Sequence, residues 1–399
     1  MKAEKEYIVI KGCGAISPLG SNPGDIAQAY TSGIPAFKTT FHQEQPTPVA
    51  VLPEKAEHQL QDLLKQNPNY KHLDKSVLMA VFAARQAAEQ AGWLQEGFTD
   101  HDLGVNIGSS RGATGLFEQH LDTFQQRQLT ASASPTTTLG NLSSWVAHAV
   151  NAGGAQISHS ITCSTALMAV ANAAAWLKAG MAKRFLAGGT EAPLTDFTIA
   201  QMKAIGIYSK LHNHTYPCQP YAMVKQNTFV LGEGAAVLAL ELEPASIITP
   251  GTIVIEAIGL GFESIKSKTG ISADGLNFQQ SMQHALHQLP DNERTVDLII
   301  THTPGTAAGD TAELNAISSV FKEGLPAITT NKFLLGHTLG ASGALSLQYA
   351  LYILQSQTFP TLHYTNNLPF SASHKKYKRI MVNAAGFGGN AASIILKQL

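Results

Sequence analysis

Hydrophobic and polar positions along the chain fall into two alternating patterns. Short runs rich in β-branched and aliphatic residues predict strands at 7–11, 104–108, 156–162, 184–188, 298–302, 327–330 and 379–383. Longer alanine-rich stretches predict helices at 75–91, 164–179, 311–321 and 343–355. Strands that alternate with helices are typical of sheets whose faces are covered by helices, so the predicted fold class is α/β.

A glycine-rich turn followed by an alternating apolar strand occurs twice, at 231–238 and again at 386–394. Each copy closes one half of the chain. Glycine permits positive φ and close backbone approach, so tight hairpins alone explain either copy, whereas their repetition favours a duplicated α/β unit. We therefore predict two halves, 1–245 and 252–399, joined through the proline- and glycine-containing segment 244–251.

Composition and charge exclude several functional classes. The chain has 399 residues, of which 44% are hydrophobic, enough for a large core. With 27 basic against 28 acidic residues and no basic run, nucleic acid is not an expected partner. The longest apolar stretch, 166–177, is too short to span a bilayer, and 8–10 is too short for a signal peptide, so we expect no membrane insertion and a cytoplasmic location.

The three cysteines do not form a recognisable framework. Their number is odd and no two share a Cys-x-x-Cys spacing, which argues against both disulfides and a zinc site. No cluster of histidine, cysteine and aspartate has the spacing of metal ligands. We therefore expect no bound metal.

Cys163 lies where a predicted strand ends and an alanine-rich helix begins. Unpaired N–H groups and the positive end of the helix dipole would lower the pKa of a thiol there and could hold an oxyanion. A buried cysteine acting as a small hydrophobic residue explains the same local sequence equally well. Placement alone leaves both interpretations open.

Two histidines occupy positions suited to catalysis. His302 follows a predicted strand, and active sites of α/β proteins collect at the carboxyl ends of strands. We place the cap of the next helix at Asp310. His337 lies in the segment 332–343 among four glycines or alanines, which leave room for a substrate. Either histidine alone is more often a hydrogen-bonded structural residue, but together with Cys163 they form a coherent set of one nucleophile and two imidazoles.

Four of these segments, in order and spacing, resemble those of elongating β-ketoacyl-acyl carrier protein synthases. They are the Cys163 turn, the loop after His302, the segment 332–343 and the Gly-Phe-Gly-Gly turn at 386–389. Further similar segments lie at 12–20, 71–75, 104–109 and 187–191, so the resemblance covers nearly the whole chain. It implies a thiolase-like fold, in which two similar α/β halves form five αβαβα layers, and usually a homodimer.

The resemblance also implies a reaction. Cys163 would accept an acyl group from the phosphopantetheine arm of an acyl carrier protein, through an oxyanion held by its own N–H and that of Phe387. His302 and His337 would then hydrogen-bond the malonyl thioester carbonyl and stabilise the enolate that decarboxylation leaves. The enolate would attack the acyl group on Cys163. Because the arm arrives on the carrier protein, we expect no other cofactor.

Other residues would support this chemistry by resemblance. Lys332 matches a lysine that supports the histidine pair electrostatically, and Glu313 matches an acid near that lysine. Thr306 retains one of two threonines that bind pantetheine. Ile107 and Met202 align with the acyl pocket, although a plain core position is the commoner role for apolar residues.

The chain departs from this pattern at several places. Gln-Pro-Tyr-Ala at 219–222 and Gln-Asn-Thr-Phe at 226–229 replace Arg-Pro-Phe-Asp and Arg-Asp-Gly-Phe, so a charged network is missing. Pro304 replaces the other pantetheine-binding threonine. Ala385 stands where many elongating enzymes have a first gating phenylalanine, whereas Phe387 retains the second. These changes suggest a synthase of a specialised pathway, such as polyene, resorcinol-type lipid or polyketide production.

Two other functions stay open. A chain-length factor, the partner subunit of a heterodimeric ketosynthase, typically lacks the nucleophile, so retention of Cys163 argues against it. A thiolase-fold acyltransferase without condensation would not need both histidines. Relatives that use coenzyme A primers carry asparagine in place of His337, which favours elongation. The expected partner is an acidic acyl carrier protein that brings acyl and malonyl groups, and the expected assembly is a homodimer or a heterodimer with a related ketosynthase.

Overall fold

The computed structural model of the chain describes residues 4–95, 97–223, 226–264, 271–368 and 376–399. Its strands are β1 (Glu6–Ile16), β2 (Lys38–His42), β3 (Gln45–Val49), β4 (Leu103–Gly108), β5 (Gln156–Ile157), β6 (Arg184–Glu191), β7 (Gly234–Pro244), β8 (Ile253–Phe262), β9 (Leu298–Ile300), β10 (Ala327–Thr329), β11 (Arg379–Gly386) and β12 (Asn390–Gln398).

Helices connect most of these strands. They are α1 (Pro23–Ser32), α2 (Glu54–Gln66), α3 (Lys75–Gln90), α4 (Thr114–Gln125), α5 (Ala133–Thr137), α6 (Asn141–Val150), α7 (Thr165–Lys178), α8 (Asp196–Ala204), α9 (Leu276–Leu286), α10 (Ala307–Val320), α11 (Lys332–Leu335) and α12 (Ser342–Ser356). Among the described residues, no helix combines the length and apolar character needed to cross a bilayer.

Ten strands form a continuous sheet in the order β10-β9-β11-β12-β8-β1-β7-β6-β4-β5. At its centre β8 and β1 pair through Ile8 with Ile255 and Val9 with Val254. On each side of this seam, five strands follow the same order, with two antiparallel pairings next to the seam and two parallel pairings beyond them. The repeated order is that expected of a duplicated unit, while the boundary predicted between 245 and 252 stays a prediction.

The helices pack around these two sheet halves in layers. The long apolar helices α7 and α12 lie between them, since each contacts strands from both. Helices α3 and α6 cover the outer face of the first half, and α9 and α10 lie on the outer side of the second. Three hydrophobic clusters fill the spaces between these five layers. The predicted α/β class is confirmed.

Most predicted elements differ from the observed ones by a few residues at their ends, and two of the larger differences lie at the candidate site. The strand predicted over 156–162 ends at Ile157, and a turn with φ +55° at Thr162 leads into α7. Helix α10 begins at Ala307 rather than at 311. The Thr306 hydroxyl accepts a hydrogen bond from the Gly309 N–H, so Thr306 is the cap and the prediction that Asp310 caps the helix is wrong.

Candidate active site

Cys163 lies in the turn between β5 and α7, and hydrogen bonds fix this turn on both sides. The Thr165 hydroxyl, at the start of α7, accepts a hydrogen bond from the Ile161 N–H at 2.8 Å. The Thr162 hydroxyl donates to the Phe387 carbonyl at 3.2 Å. Residues from opposite halves of the chain therefore hold Cys163 at the N-terminus of a buried helix.

The hairpin between β11 and β12 comes so close to this turn that only glycine fits at its start. A Cβ atom on Gly386 would lie 1.7 Å from the Thr162 hydroxyl oxygen and 3.0 Å from the Cys163 nitrogen. The Asn390 side-chain amide donates to the Phe387 carbonyl at 3.1 Å. The peptide groups on either side of Phe387 are thus held against the Cys163 backbone.

His337 is a neutral imidazole with a defined tautomer. Its Nδ1 accepts a hydrogen bond from the Leu339 N–H at 3.0 Å, so the ring proton belongs on Nε2. Burial holds the pKa of His337 well below its ordinary value, and the neighbouring His302 and the charge of Lys332 lower it further. Nε2–H is therefore a hydrogen-bond donor at neutral pH.

His302 faces His337 in the same cavity. The two ring centroids are 5.1 Å apart and the rings are almost perpendicular, at 87°. Burial, assisted by the charge of Lys332, lowers the pKa of His302 to about 3. Its Nδ1 is buried without a hydrogen-bond partner in the described ranges. Two neutral imidazoles thus stand side by side.

Glu313 holds the loop that carries His302. Its carboxylate accepts hydrogen bonds from the N–H groups of His302 at 3.0 Å and Thr303 at 2.9 Å, and from the Asn383 side chain at 3.1 Å. Burial raises the pKa of Glu313 to about 7. The acid that the sequence placed near Lys332 therefore supports His302 through its backbone.

Lys332 is a buried cation behind the two histidines. Its side chain is 1% exposed, and its ammonium donates to the Asn331 side chain at 3.0 Å and to the Ser346 hydroxyl at 3.4 Å. Burial lowers the pKa of Lys332 to about 8, while Glu313 opposes that shift. Its charge disfavours protonation of both histidines.

The prediction of a lowered thiol pKa is wrong for the resting protein. Burial raises the pKa of Cys163 to about 12, the Glu191 carboxylate acts in the same direction, and the charges of Arg111 and Lys332 only partly oppose them. Cys163 rests as the thiol, and its proton has to leave as it attacks.

Cys163, His302, His337 and Phe387 line one cavity of about 310 Å³. Met202, Thr306 and Ala385 also belong to its wall, and much of the remainder is apolar. Phe387 is 41% exposed, as expected of a residue at a cavity mouth.

Ile107 is not among the residues that line this cavity. It is fully buried in the cluster outside the first sheet half, the core position that the sequence left as the alternative. Among the described residues, no group of three or more side chains is arranged to hold a metal ion.

Glu191, a buried acid at the end of β6, lies in the segment 187–191 that resembles the family, but no role was predicted for it. Its carboxylate accepts five hydrogen bonds, from the Ser109 hydroxyl, the Ser110 N–H and hydroxyl, and the N–H groups of Arg111 and Gly340. It thereby joins the end of β4 to the segment just after His337. In the sequence, the feature that points to Glu191 is a single acidic residue at the end of an apolar strand.

The uncharged segments 219–222 and 226–229 contact the loop after His302 directly. The Thr228 N–H donates to the Gly305 carbonyl at 2.6 Å, and the Ala307 N–H donates to the Asn227 side chain at 3.1 Å. The Tyr221 N–H donates to the Asp310 carboxylate at 3.1 Å. Hydrogen bonds from backbone N–H groups therefore connect these segments to the loop, where the sequence predicted a missing charged network.

Comparison with known proteins agrees with this geometry. Residues 5–245 match the family model of the β-ketoacyl synthase N-terminal domain, and residues 253–365 match that of the C-terminal domain. The 3-oxoacyl-[acyl-carrier-protein] synthase 2 of Coxiella burnetii is 28% identical, and the alignment covers 99% of each chain.

Solved structures confirm the predicted thiolase-like fold. A β-ketoacyl synthase from Burkholderia phymatum superposes with a TM-score of 0.86 at 24% identity, over 99% of this chain and all of that one. The ishigamide ketosynthase/chain length factor superposes with a TM-score of 0.83 at 21% identity, again over 99% and 100%. Since the two family models together span most of its residues, the chain belongs to the β-ketoacyl synthase family.

Proposed function

We propose that this protein is a 3-oxoacyl-[acyl-carrier-protein] synthase that joins an acyl group held on Cys163 to a decarboxylating malonyl unit. The observation that carries the proposal is the pair of neutral imidazoles in the cavity that Cys163 lines. His337 has its proton on Nε2 because Leu339 donates to Nδ1. Such N–H groups stabilise a developing enolate by hydrogen bonding, and the imidazoles do not have to accept a proton.

In the first half-reaction, the Cys163 sulfur attacks the carbonyl carbon of an acyl thioester on the carrier arm. The N–H groups of Cys163 and Phe387 hold the oxyanion. The close contact between Gly386 and the Cys163 turn keeps these two N–H groups near each other. The carbon–sulfur bond to the arm breaks, and the arm's sulfur leaves with the proton that Cys163 gives up. The acyl group is then a thioester of Cys163.

In the second half-reaction, malonyl thioester on a carrier arm loses carbon dioxide, and the electron pair of the broken bond forms an enolate. His302 and His337 donate hydrogen bonds to its oxygen. The enolate carbon attacks the Cys163 thioester, a carbon–carbon bond forms, and the Cys163 sulfur leaves and is reprotonated. Lys332 keeps the imidazoles neutral, and Glu313 keeps the His302 loop in place.

The partner in this proposal is an acyl carrier protein, the carrier named for the Coxiella burnetii relative. The phosphopantetheine arm of this carrier is the only cofactor that the proposed reaction needs. Thr306, in the cavity wall, contacts the arm. We place the protein in the cytoplasm as a homodimer. A heterodimer is the alternative, since a ketosynthase and a chain length factor are named together for one structural neighbour.

The departures near the cavity favour a specialised pathway over housekeeping fatty acid synthesis. Ala385 lines the cavity where the resemblance places a gating phenylalanine, so that side of the cavity lacks a bulky ring. Condensation rates measured with saturated and with polyunsaturated acyl-carrier primers test the assignment to a specialised pathway. A clear preference for long saturated primers would contradict it.

The reaction itself is tested by incubating purified protein with acyl-carrier and malonyl-carrier proteins and following the mass of each component. We expect an acyl mass on Cys163 and a β-keto product two carbons longer. Cys163→Ala should not load, and His337→Ala should load without condensing. Loading and transfer without a new carbon–carbon bond would indicate an acyltransferase. Activity only after a second synthase-like protein is added would indicate a partner subunit.

A further inference from the structure

Strand β8 has a free edge over its second half. One side of the strand pairs with β12 from residue 253 to residue 262, whereas its other side pairs with β1 only through Val254 and Ile255. Between residues 258 and 262, no strand in the described part of the chain pairs with that other side. An unpaired strand edge offers N–H and carbonyl groups to any further strand.

Side chains from helix α9 and the turn after it occupy this free edge. Each of the three outward N–H groups, at positions 258, 260 and 262, donates to one of them. The pairs are Phe262 with Gln280 at 3.0 Å, Leu260 with His284 at 3.1 Å and Ile258 with Gln288 at 3.3 Å. The Gln288 amide also donates to the Ile258 carbonyl. The helix thus supplies acceptors where a neighbouring strand would supply carbonyl groups.

Glycines in β8 bring the helix close enough for these contacts. A Cβ atom on Gly259 would lie 1.9 Å from the Ser281 carbonyl oxygen, and one on Gly261 would lie 2.1 Å from the Asn277 carbonyl oxygen. These distances leave no room for a side chain at either position. Because the helix backbone touches the strand, side chains of the helix can reach around to its edge.

Strand β1 and helix α3 repeat this arrangement in the first half. The Cys13 N–H donates to Gln90 at 3.0 Å, and the Ala15 N–H donates to Gln86 at 3.1 Å. Two glycines of β1 approach carbonyl oxygens of α3 with similar closeness, at 2.4 and 1.9 Å. In both halves, the bound N–H groups are two residues apart on the strand and their acceptors four residues apart on the helix. Gln90 therefore corresponds to His284.

The two edges differ in what lies beside them. Cys13 and Ala15 border a cavity of about 130 Å³ whose walls also include residues of α1 and α12, and Ala15 is 3% exposed. The corresponding Leu260 and Phe262 are 43% and 62% exposed. The β8 edge is therefore open to another protein chain, whereas helices stand beside the β1 edge.

A second copy of this chain is the partner that fits an open β8 edge. The stretch 258–262 contains no charged residue and no proline, and its apolar residues alternate with glycines. Uncharged strand edges without proline pair readily with one another. Two such edges related by a two-fold axis can pair antiparallel, so that each copy accepts the N–H groups of the other.

We propose that Gln280, His284 and Gln288 keep the β8 edge closed to a second copy of the chain, by binding the N–H groups that such a copy would need. The inference goes beyond the proposed reaction, because it concerns the surface of β8 rather than the cavity that Cys163 lines. A side chain tethered beside an N–H group outcompetes a separate molecule, since its effective concentration is far higher.

The test compares wild type with a triple variant that carries Gln280→Ala, His284→Ala and Gln288→Ala. Light scattering measures the average mass of each protein over a range of concentrations. We expect the mass of the variant to exceed that of wild type by at least about twofold at the highest concentration, because each open edge can bind one more copy. Circular dichroism shows whether the variant keeps the fold.

Two further variants separate pairing at β8 from a general loss of stability. Gln86→Ala combined with Gln90→Ala removes the equivalent acceptors from the β1 edge. This variant should lower the thermal unfolding midpoint without raising the mass. Leu260→Lys, added to the triple variant, places a charge on the open edge and should return the mass to that of wild type.

Three results would overturn the inference. A folded triple variant that keeps the wild-type mass at every concentration would show that the side chains do not close the edge. Association that persists after Leu260→Lys is added would place the contact elsewhere on the molecule. Equal association of the variant with Gln86→Ala and Gln90→Ala would make it a consequence of lost stability.

A single position keeps the inference testable if the triple variant does not fold. Amide hydrogen exchange at Leu260 should be about tenfold faster in His284→Ala than in wild type, because this N–H group loses its acceptor. His284→Gln should exchange as slowly as wild type, since Gln90 has the same role in the first half. Equal exchange in all three proteins would contradict the inference.

Discussion

At the scale of single residues, the site combines a nucleophile kept as a thiol with imidazoles kept neutral. Burial is the main cause of all three shifts in pKa. Neutral histidines are weak bases but good donors, so they suit the stabilisation of an enolate better than the removal of a proton. The chemistry therefore depends on N–H groups held in place rather than on titrating side chains.

His337→Ala should lower the condensation rate by about 100-fold or more, the usual effect of removing one donor to a developing oxyanion. Loading of Cys163 should remain close to that of wild type, because the acyl oxyanion is held by backbone N–H groups. Single-turnover rates of both half-reactions measure this. His287→Ala, at an exposed histidine, is the control. Equal loss in both half-reactions would contradict the assigned role.

Lys332→Met should stabilise the fold at pH 7 while impairing condensation. The pKa of Lys332 is lowered to about 8, so between pH 8 and its ordinary value of 10.5 the unfolded chain binds more protons than the folded protein. Burial of the charge therefore lowers the free energy of unfolding by its full amount below pH 8, and this loss disappears as pH rises towards 10.5. Unfolding midpoints at pH 7 and 10 measure the difference, and a gain of the same size at both would contradict it.

At the scale of elements, the catalytic cysteine depends on a contact between two turns more than 200 residues apart in sequence. The Cys163 turn and the β11–β12 hairpin meet at Gly386, where any side chain would overlap Thr162. The strand β5 ends at Ile157, and positive φ at Thr162 turns the chain before α7. Local sequence could not predict either feature.

Gly386→Ala should reduce the loading of Cys163 by at least about tenfold, since the added methyl group forces the two turns apart. Thr162→Ala in the same chain removes the overlapping atom and should restore part of the rate. The initial rate of acylation, followed by intact mass, measures both. Gly324→Ala is the control, because no atom lies within 4 Å of its Cβ position. Failure of the double variant to recover would place the defect elsewhere.

Much of the element pattern could be predicted from the sequence, and the differences have physical causes. The strand before His302 and the buried helix after Cys163 have strong apolar patterns, so both were predicted nearly in place. The start of α10 was missed because the Thr306 hydroxyl, rather than Asp310, satisfies the first N–H groups. Ile107 and Met202 looked alike in sequence, yet only Met202 faces the cavity.

At the scale of the whole molecule, buried polar contacts join the two sheet halves next to the site. Glu191, at the end of β6, accepts hydrogen bonds from residues after β4 and from Gly340 of the other half. Its partners are distant in sequence, so no local pattern could identify them. A buried carboxylate of this kind fixes the position of the His337 segment relative to the Cys163 side of the cavity.

Glu191→Ala should lower the free energy of unfolding by about 3–5 kcal/mol, because several buried donors lose their acceptor. Denaturant unfolding followed by circular dichroism measures the loss. Glu323→Ala removes an exposed acid and should change the same quantity by less than about 0.5 kcal/mol. Similar effects of the two substitutions would show that Glu191 does not stabilise the contact between the halves.

In the proposed reaction, the acyl group on Cys163 becomes the chain that is extended. The most direct test is to load the protein with an isotopically labelled acyl group, isolate it, and add malonyl-carrier protein alone. We expect the label to leave Cys163 as carbon dioxide is released, and to appear on the carrier in a β-keto product two carbons longer. Label that stays on Cys163, or that reaches the carrier without extension, would contradict the proposed reaction.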